Sequence, residues 1–238
     1  MAIPEIIGYS MPTDAELPAP TPPWRPDRHR AVLLIHDMQR YFVDRFPVVE
    51  PPMTDLLTNL CRIRAWAGAL GIPVLYTAQP ARMTRAERGL LFDFWGAGMT
   101  AEPGADDIVD AVRPAPGDTV IRRHRYSAFH GSELGGALDT LGRDQLIVTG
   151  VYAHIGCLMT AVDAFSRGIQ PFLVADAVAD FTAAHHRMAL HYAAHTCAVT
   201  LTTRQLLALL GPRRRNPTGT VSTALGQPLA GDAGQLHA

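Results

Sequence analysis

Lysine is absent from this 238-residue chain: all 21 basic residues other than histidine are arginine. Schiff-base chemistry and lysine-based nucleophile activation are excluded with it, and any cationic role falls to Arg or His. Cysteine is scarce. Cys61, Cys157 and Cys197 are too few and too scattered for a disulfide framework or a thiolate metal site, and they fit a reducing cytoplasm. No apolar run approaches the ~20 residues of a membrane span. Net charge is −1, so no field of one sign is available for nucleic acid or an anionic bilayer. The opening Met1-Ala-Ile-Pro-Glu-Ile-Ile carries an acid and no basic n-region, which is not the pattern of a secretory leader. No internal repeat is present, and no Gly-rich phosphate loop follows the first strand.

What is present reads as one enzyme-sized domain, with 47% hydrophobic and 18% charged residues. Residues 1–30 are Pro-rich and aperiodic, an extended arm lying over the body. Residues 31–211 alternate strand and helix. Strands are expected at 31–35, 73–78, 118–123, 145–149, 170–174 and 198–202. Helices are expected from Thr54 as cap to Leu70, over 105–112, from Ser132 as cap over 133–141, and over 155–167, 183–195 and 205–210, with a loop and short helix in 83–99. This alternation implies an α/β three-layer sandwich: a six-stranded, mostly parallel sheet with helices on both faces. Residues 212–238, with Arg213-Arg-Arg215 and then Gly, Pro, Thr and Ala, read as a disordered tail.

The first strand, Ala31-Val-Leu-Leu-Ile35, is apolar throughout, as a strand buried on both faces must be, and it runs into His36-Asp37-Met38-Gln39. Open α/β sheets place their ligand crevice at the carboxyl ends of strands. The informative polar residues all fall there: Asp37 and Gln39, Gln79, Arg123 with Arg125 and Tyr126, the loop Gly150-Val-Tyr-Ala-His-Ile-Gly156, and Asp176 and Asp180. Each alone could be a cap or a satisfied loop polar; their convergence on one edge points to a site.

The chain resembles the isochorismatase-like hydrolases from about residue 2 to 210. The matching stretches are Arg30–Gln39, Tyr76-Thr-Ala-Gln-Pro80, Asp93-Phe-Trp-Gly96, Arg125-Tyr-Ser-Ala-Phe129, Gly150–Gly156 and Pro171-Phe-Leu-Val-Ala-Asp-Ala177. They are closest to the branch that splits isochorismate or 2-amino-2-deoxyisochorismate. The wider superfamily holds cysteine hydrolases with an Asp, Lys, Cys triad. Here the nucleophile's place is Gly156, as in the ether-cleaving branch, and the lysine's place is Arg123, a departure from that branch. Met83-Thr-x-x-x-Arg-Gly-Leu-Leu91 and His185-His-Arg-Met-Ala-Leu190 lean towards the phenazine-pathway enzymes, which take the amino substrate. His154-Ile-Gly-Cys157 leans towards siderophore-pathway isochorismatases, some of which carry a fused carrier domain for which 212–238 is too short.

The resemblance implies hydrolysis of an enol ether with release of pyruvate and no covalent intermediate. Asp37 would protonate the methylene carbon, which asks its pKa to rise by a few units above ~3.9; burial does this and Arg123 opposes it. Asp37, Arg123 and Gly156 are therefore the expected catalytic set. Gln79, Arg88 and Tyr152 would bind a dianionic, chorismate-derived substrate, with Trp95, Phe42 and Tyr126 as the apolar wall. No cofactor and no metal are expected; His191 and His195 have i, i+4 spacing but no third ligand is visible. A homodimer or higher assembly is the family habit. Rival readings are a solvated Arg82/Arg85/Arg88 face, Trp95 as plain core, His36 as a backbone hydrogen-bonder, a cysteine amidohydrolase using Cys157, and an inactive scaffold in which Arg123 marks lost function.

Overall fold

The computed structural model describes residues 3–99 and 102–211; the expected tail, 212–238, lies outside the described residues. Six strands form one sheet: β1 (Ala31–His36), β2 (Val74–Ala78), β3 (Thr119–Arg122), β4 (Gln145–Val151), β5 (Gln170–Ala179) and β6 (Val199–Leu201). Their order is β3-β2-β1-β4-β5-β6 and every strand pairing is parallel. The described helices are α1 (Arg40–Val43), α2 (Met53–Leu70), α3 (Arg85–Arg88), α4 (Leu91–Trp95), α5 (Leu134–Leu141), α6 (Leu158–Ser166), α7 (Ala183–Thr196) and α8 (Thr203–Leu210).

β1 is buried along its whole length because both of its faces are covered. Ala31, Leu33 and Ile35 pack with Leu56, Leu60 and Ile63 of α2 and Leu206 of α8. Val32 and Leu34 face Leu134 and Leu138 of α5, Ala161 of α6 and Ala189 of α7. Each buried Val, Leu or Ile among them contributes about 1.5–3 kcal/mol relative to exposure. The strand order reverses between β1 and β4, so a crevice opens at their carboxyl ends. Asp37 leaves β1 there, and residues 152–157 leave β4 there.

Several local expectations are corrected. α2 starts at Met53 with Pro52, not Thr54, at the N-cap; Gly71 ends it in the left-handed region, φ 67°. Residues 105–112 are not a helix, and only Asp110–Val112 make a 3-10 turn. The carbonyls of Ala105 and Asp107 instead accept the N–H groups of Tyr41 (2.9 Å) and Arg40 (2.9 Å), and Val109 N–H donates to Met38 (2.9 Å). Pairing with the start of α1 thus overrides local helix propensity. The expected helix over 155–167 begins as a π turn, Ala153–Cys157, and is regular only from Leu158. β5 runs five residues past Val174. Asp176 lies within it, and its carboxylate accepts from Thr203 N–H (2.6 Å) and Oγ1–H (2.7 Å) at the start of α8, so this acid is satisfied away from the crevice.

The arm is extended and docked. Ile3 and Ile6 are buried in the α2-side core, and Tyr9 Oη accepts from Asp180 N–H at 2.7 Å. No helix among the described residues is long and apolar enough to cross a membrane.

Candidate active site

Asp37 follows the last residue of β1 with φ 51°, a left-handed conformation that a non-glycine residue adopts only when its surroundings enforce it. Its N–H donates to Thr77 at the carbonyl (3.3 Å) and at Oγ1 (3.1 Å), and Thr77 Oγ1–H donates back to Asp37 Oδ1 at 2.7 Å. Arg123 Nε donates to the same Oδ1 at 2.9 Å, and Nη2 pairs with Oδ2. Both residues are buried, 1% and 4% exposed. A planar fork on a carboxylate is the geometry that lets such a pair survive desolvation. Burial draws the Arg123 pKa down to about 9, which leaves it a cation at neutral pH. Its Nη1 also donates to the Arg125 carbonyl. With its amide oxygen turned inward, Gln79 accepts from Nη2 at 3.1 Å and Nη1 at 3.2 Å. Gln39 holds Gln79 in place: its Oε1 accepts from Gln79 N–H (2.8 Å), and its Nε2 donates to the carbonyls of Gln79 and Asp106 (both 2.9 Å).

Opposite this pair stands Arg88, at the end of α3. Thr84 and Glu87 cap that helix reciprocally, and Arg125 Nη1 donates to the Glu87 carbonyl at 2.8 Å, fixing the turn. Arg82 and Arg85 are exposed, but Arg88 turns inward and is 4% exposed. Its Nε has no hydrogen-bond partner, and no carboxylate lies within ion-pair distance of the guanidinium among the described residues. Burial pushes its pKa down. Leaving a cation buried and without a protein partner is costly, so this arrangement asks for an anion.

A narrow cavity lies between the two arginines. All nine expected residues line it: Asp37, Arg123 and Gly156, then Gln79, Arg88 and Tyr152, then Trp95, Phe42 and Tyr126. Trp95 Nε1–H donates to Tyr126 Oη at 2.8 Å, joining α4 to the turn after β3. The Tyr152 hydroxyl is already engaged, donating to the Phe42 carbonyl at 2.8 Å, so Tyr152 offers the cavity its ring and backbone. Sequence reasoning missed Ile3, Tyr41, Leu91 and Phe181 on the same wall, and had Val151 and Ile155 only as part of the loop 150–156. Phe181 had a signal, since it adjoins Asp180; Ile3, on the distant arm, had none. A larger depression of about 650 Å³ runs past Arg40, Asp110 and Arg122. Its charges are exposed and partly paired with one another (Arg40–Asp110, 2.9 Å), so the narrow cavity with its buried charges is the better chemical site.

Gly156 sits in the π turn, against the imidazole of His36. A Cβ built there would lie 2.9 Å from His36 Nδ1 and 3.0 Å from Nε2. Cys157 does not line the cavity. It is buried in the other core with Leu158 and Ala161, where burial pushes its thiol pKa up, so it is no poised thiolate. His154, Asp180 and His185 bring possible ligand atoms within 4.8 Å of one another. Both Asp180 oxygens are occupied, by His154 N–H (2.6 Å) and Phe181 N–H (2.7 Å), and Oδ1 also meets His154 Nδ1 (2.6 Å). The two imidazoles stack 4.5 Å apart at 14°, so their in-plane lone pairs run side by side and do not converge. This cluster is built as a hydrogen-bonded pair, not as an ion cage.

The fold and the cavity define a doubly wound α/β enzyme whose site holds a buried acid and two cations and, among the described residues, is lined by no cysteine, serine or threonine. The chain belongs to the isochorismatase family: the model of the isochorismatase domain matches residues 31–205. It is 52% identical to the phenazine biosynthesis protein PhzD of Pseudomonas fluorescens over 205 residues, 86% of this chain and 98% of that one. It is 49% identical to the isochorismatase of Bacillus subtilis over 207 residues, 87% of this chain and 66% of the other. A cysteine hydrolase of Pseudomonas syringae shares the fold with a TM-score of 0.69 at 20% identity, covering 78% of this chain and 96% of that one.

Proposed function

We propose that the protein hydrolyses the enol ether of 2-amino-2-deoxyisochorismate or isochorismate. The products are pyruvate and the matching diene acid, of the trans-dihydro-hydroxyanthranilate or dihydroxybenzoate type. One observation carries the reading. The charged residues lining the cavity, among the described residues, are two arginines and one aspartate. That is a buried site of net charge +1, and it becomes +2 when Asp37 takes a proton, which matches a dicarboxylate. Binding the dianion therefore favours the protonated acid that the reaction needs. Asp37 then delivers its proton to the terminal methylene carbon, giving an oxocarbenium ion. Water adds to the oxocarbenium carbon, the one that bears the ether oxygen, and returns a proton to Asp37. The hemiketal collapses with cleavage of the ether C–O bond, the ring oxygen leaves as an alcohol, and the new carbonyl is that of pyruvate. Arg88 and Gln79 hold the carboxylates, Arg123 balances Asp37, and the Gly156 backbone borders the carboxyvinyl group.

The identity to the phenazine-pathway relative, with the Met83–Leu91 and His185–Leu190 motifs, favours the amino substrate. The three free thiols suit a reducing cytoplasm. The test is to assay both substrates side by side, identifying products by mass and pyruvate with lactate dehydrogenase. Asp37→Ala and Asp37→Asn should lose about 10²–10⁴-fold in kcat while still binding substrate. Near wild-type kcat in Asp37→Ala would overturn the scheme.

A further inference from the structure

His36 is fully buried, does not line the cavity, and touches both halves of the site. Its Nδ1 lies 3.2 Å from the Val151 carbonyl and 3.5 Å from Asp37 Oδ1, and its Nε2 lies 3.4 Å from Thr160 Oγ1. A carbonyl can only accept, so the proton sits on Nδ1. Thr160 Oγ1 already accepts from Ala128 N–H at 2.9 Å, which leaves its own proton for His36 Nε2. Burial, with Arg123 nearby, holds the imidazole pKa well below its usual value, so the ring carries only that one proton. A single N–H therefore stands between the carbonyl that precedes Tyr152 and the carboxylate of Asp37. The ring itself fills the space beside Gly156, where a Cβ would come within 2.9–3.0 Å of both nitrogens.

We propose that His36 is a positioning residue for the reaction: its ring occupies the volume a side chain at 156 would need, and its Nδ1–H holds the Val151 carbonyl beside the Asp37 carboxylate. The acid and the glycine wall are thereby kept at a fixed separation, and positions 36 and 156 exclude one another's side chains. The inference rests on the enol-ether reading, since only chemistry without a covalent nucleophile can leave position 156 bare.

The test is a cycle of Gly156→Ala, His36→Ala and the double variant, followed by thermal melting and pyruvate release. Gly156→Ala should lower the melting temperature by several degrees in the wild-type background and by clearly less beside His36→Ala, because the collision is then relieved. His36→Ala should cost about 10- to 100-fold in kcat with KM changed by no more than about threefold. His36→Asn, whose amide N–H mimics Nδ1–H, should recover most of that kcat. His36→Leu, which restores volume without the donor, should recover stability but not kcat. If His36→Ala does not fold, the comparison of Asn with Leu decides. Additive melting shifts, or equal kcat in the Asn and Leu variants, would overturn the proposal even with wild-type turnover intact. Should the wild type release pyruvate from neither substrate while the melting shifts stay non-additive, the enol-ether reading falls and the packing of His36 against Gly156 stands.

Discussion

The Asp37–Arg123 contact sets the terms at the scale of single residues. A guanidinium presents two parallel donors to a carboxylate where an ammonium presents a point charge, and here the fork also reaches Gln79 and the Arg125 carbonyl. Arg123→Lys keeps the charge but loses several of these bonds. We expect a protein that folds, with kcat lowered by about 10-fold, since a hydrogen bond to a charged group is worth about 1.5–3 kcal/mol. Arg123→Ala strands Asp37 as a lone buried charge and should destabilise the fold by about 3–5 kcal/mol, read from the urea midpoint. An Arg123→Ala protein as stable as wild type would show that the pair is not ionised. The charge count of the cavity also makes substrate binding take up close to one proton. Calorimetry with a non-hydrolysable dicarboxylate analogue, in two buffers of different ionisation enthalpy, reads that uptake directly; zero uptake contradicts the charge-matching argument. At this scale the sequence was informative where one residue's neighbours along the chain define its setting. Asp37 ends an apolar strand, and that alone marks it. The engagement of the Tyr152 hydroxyl with Phe42, or of His36 with Gly156, depends on partners about 110–120 residues away, and no local pattern carries it.

Among the elements, the strands were legible because an all-apolar run has few other uses, whereas segments whose conformation is set by tertiary hydrogen bonds were not. Residues 105–112 look helical in isolation but donate and accept across to Met38–Tyr41. β5 continues through Asp176 because Thr203 satisfies that carboxylate. The arm shows the same dependence. Its proline content forecasts an extended chain, but that chain is fixed through Tyr9, whose hydroxyl accepts from Asp180 N–H and lies 3.1 Å from His186 Nδ1. Because Ile3 of the arm lines the cavity, loosening Tyr9 should reach the site. Tyr9→Phe leaves the Asp180 N–H without that acceptor, a loss of about 1–3 kcal/mol. We expect KM to rise by several-fold with kcat little changed, and limited proteolysis to cut within residues 3–30 sooner than in wild type. Unchanged KM and unchanged cleavage would show that the arm's other contacts, among them buried Ile3 and Ile6 and the Ile6 N–H bond to the Arg45 carbonyl (3.0 Å), hold it without the Tyr9 hydroxyl.

For the whole molecule, alternation of strand and helix was enough to give the parallel sheet and its two helical layers, since right-handed crossovers leave few other arrangements. What the alternation does not disclose is how many titratable groups the layers enclose. His186 of α7 is fully buried, with Nε2–H donating to the Ala175 carbonyl at 2.9 Å, and burial holds its pKa at about 4. His36 is shifted in the same direction. In the unfolded chain both titrate near 6.5. Between pH 6.5 and about 4 the unfolded state binds protons that the native state refuses, so stability rises with pH across this window and is lost as pH falls through it. His186 alone accounts for about 3 kcal/mol over that interval, at about 1.4 kcal/mol per pH unit. His186→Gln keeps a donor for the Ala175 carbonyl and cannot titrate. Urea midpoints measured from pH 7 to pH 4 should therefore fall less steeply in the variant than in the wild type, by close to one proton's worth of slope. Parallel curves would mean that His186 is protonated in the folded protein, and the hydrogen bond to Tyr9 would then have to be reassigned.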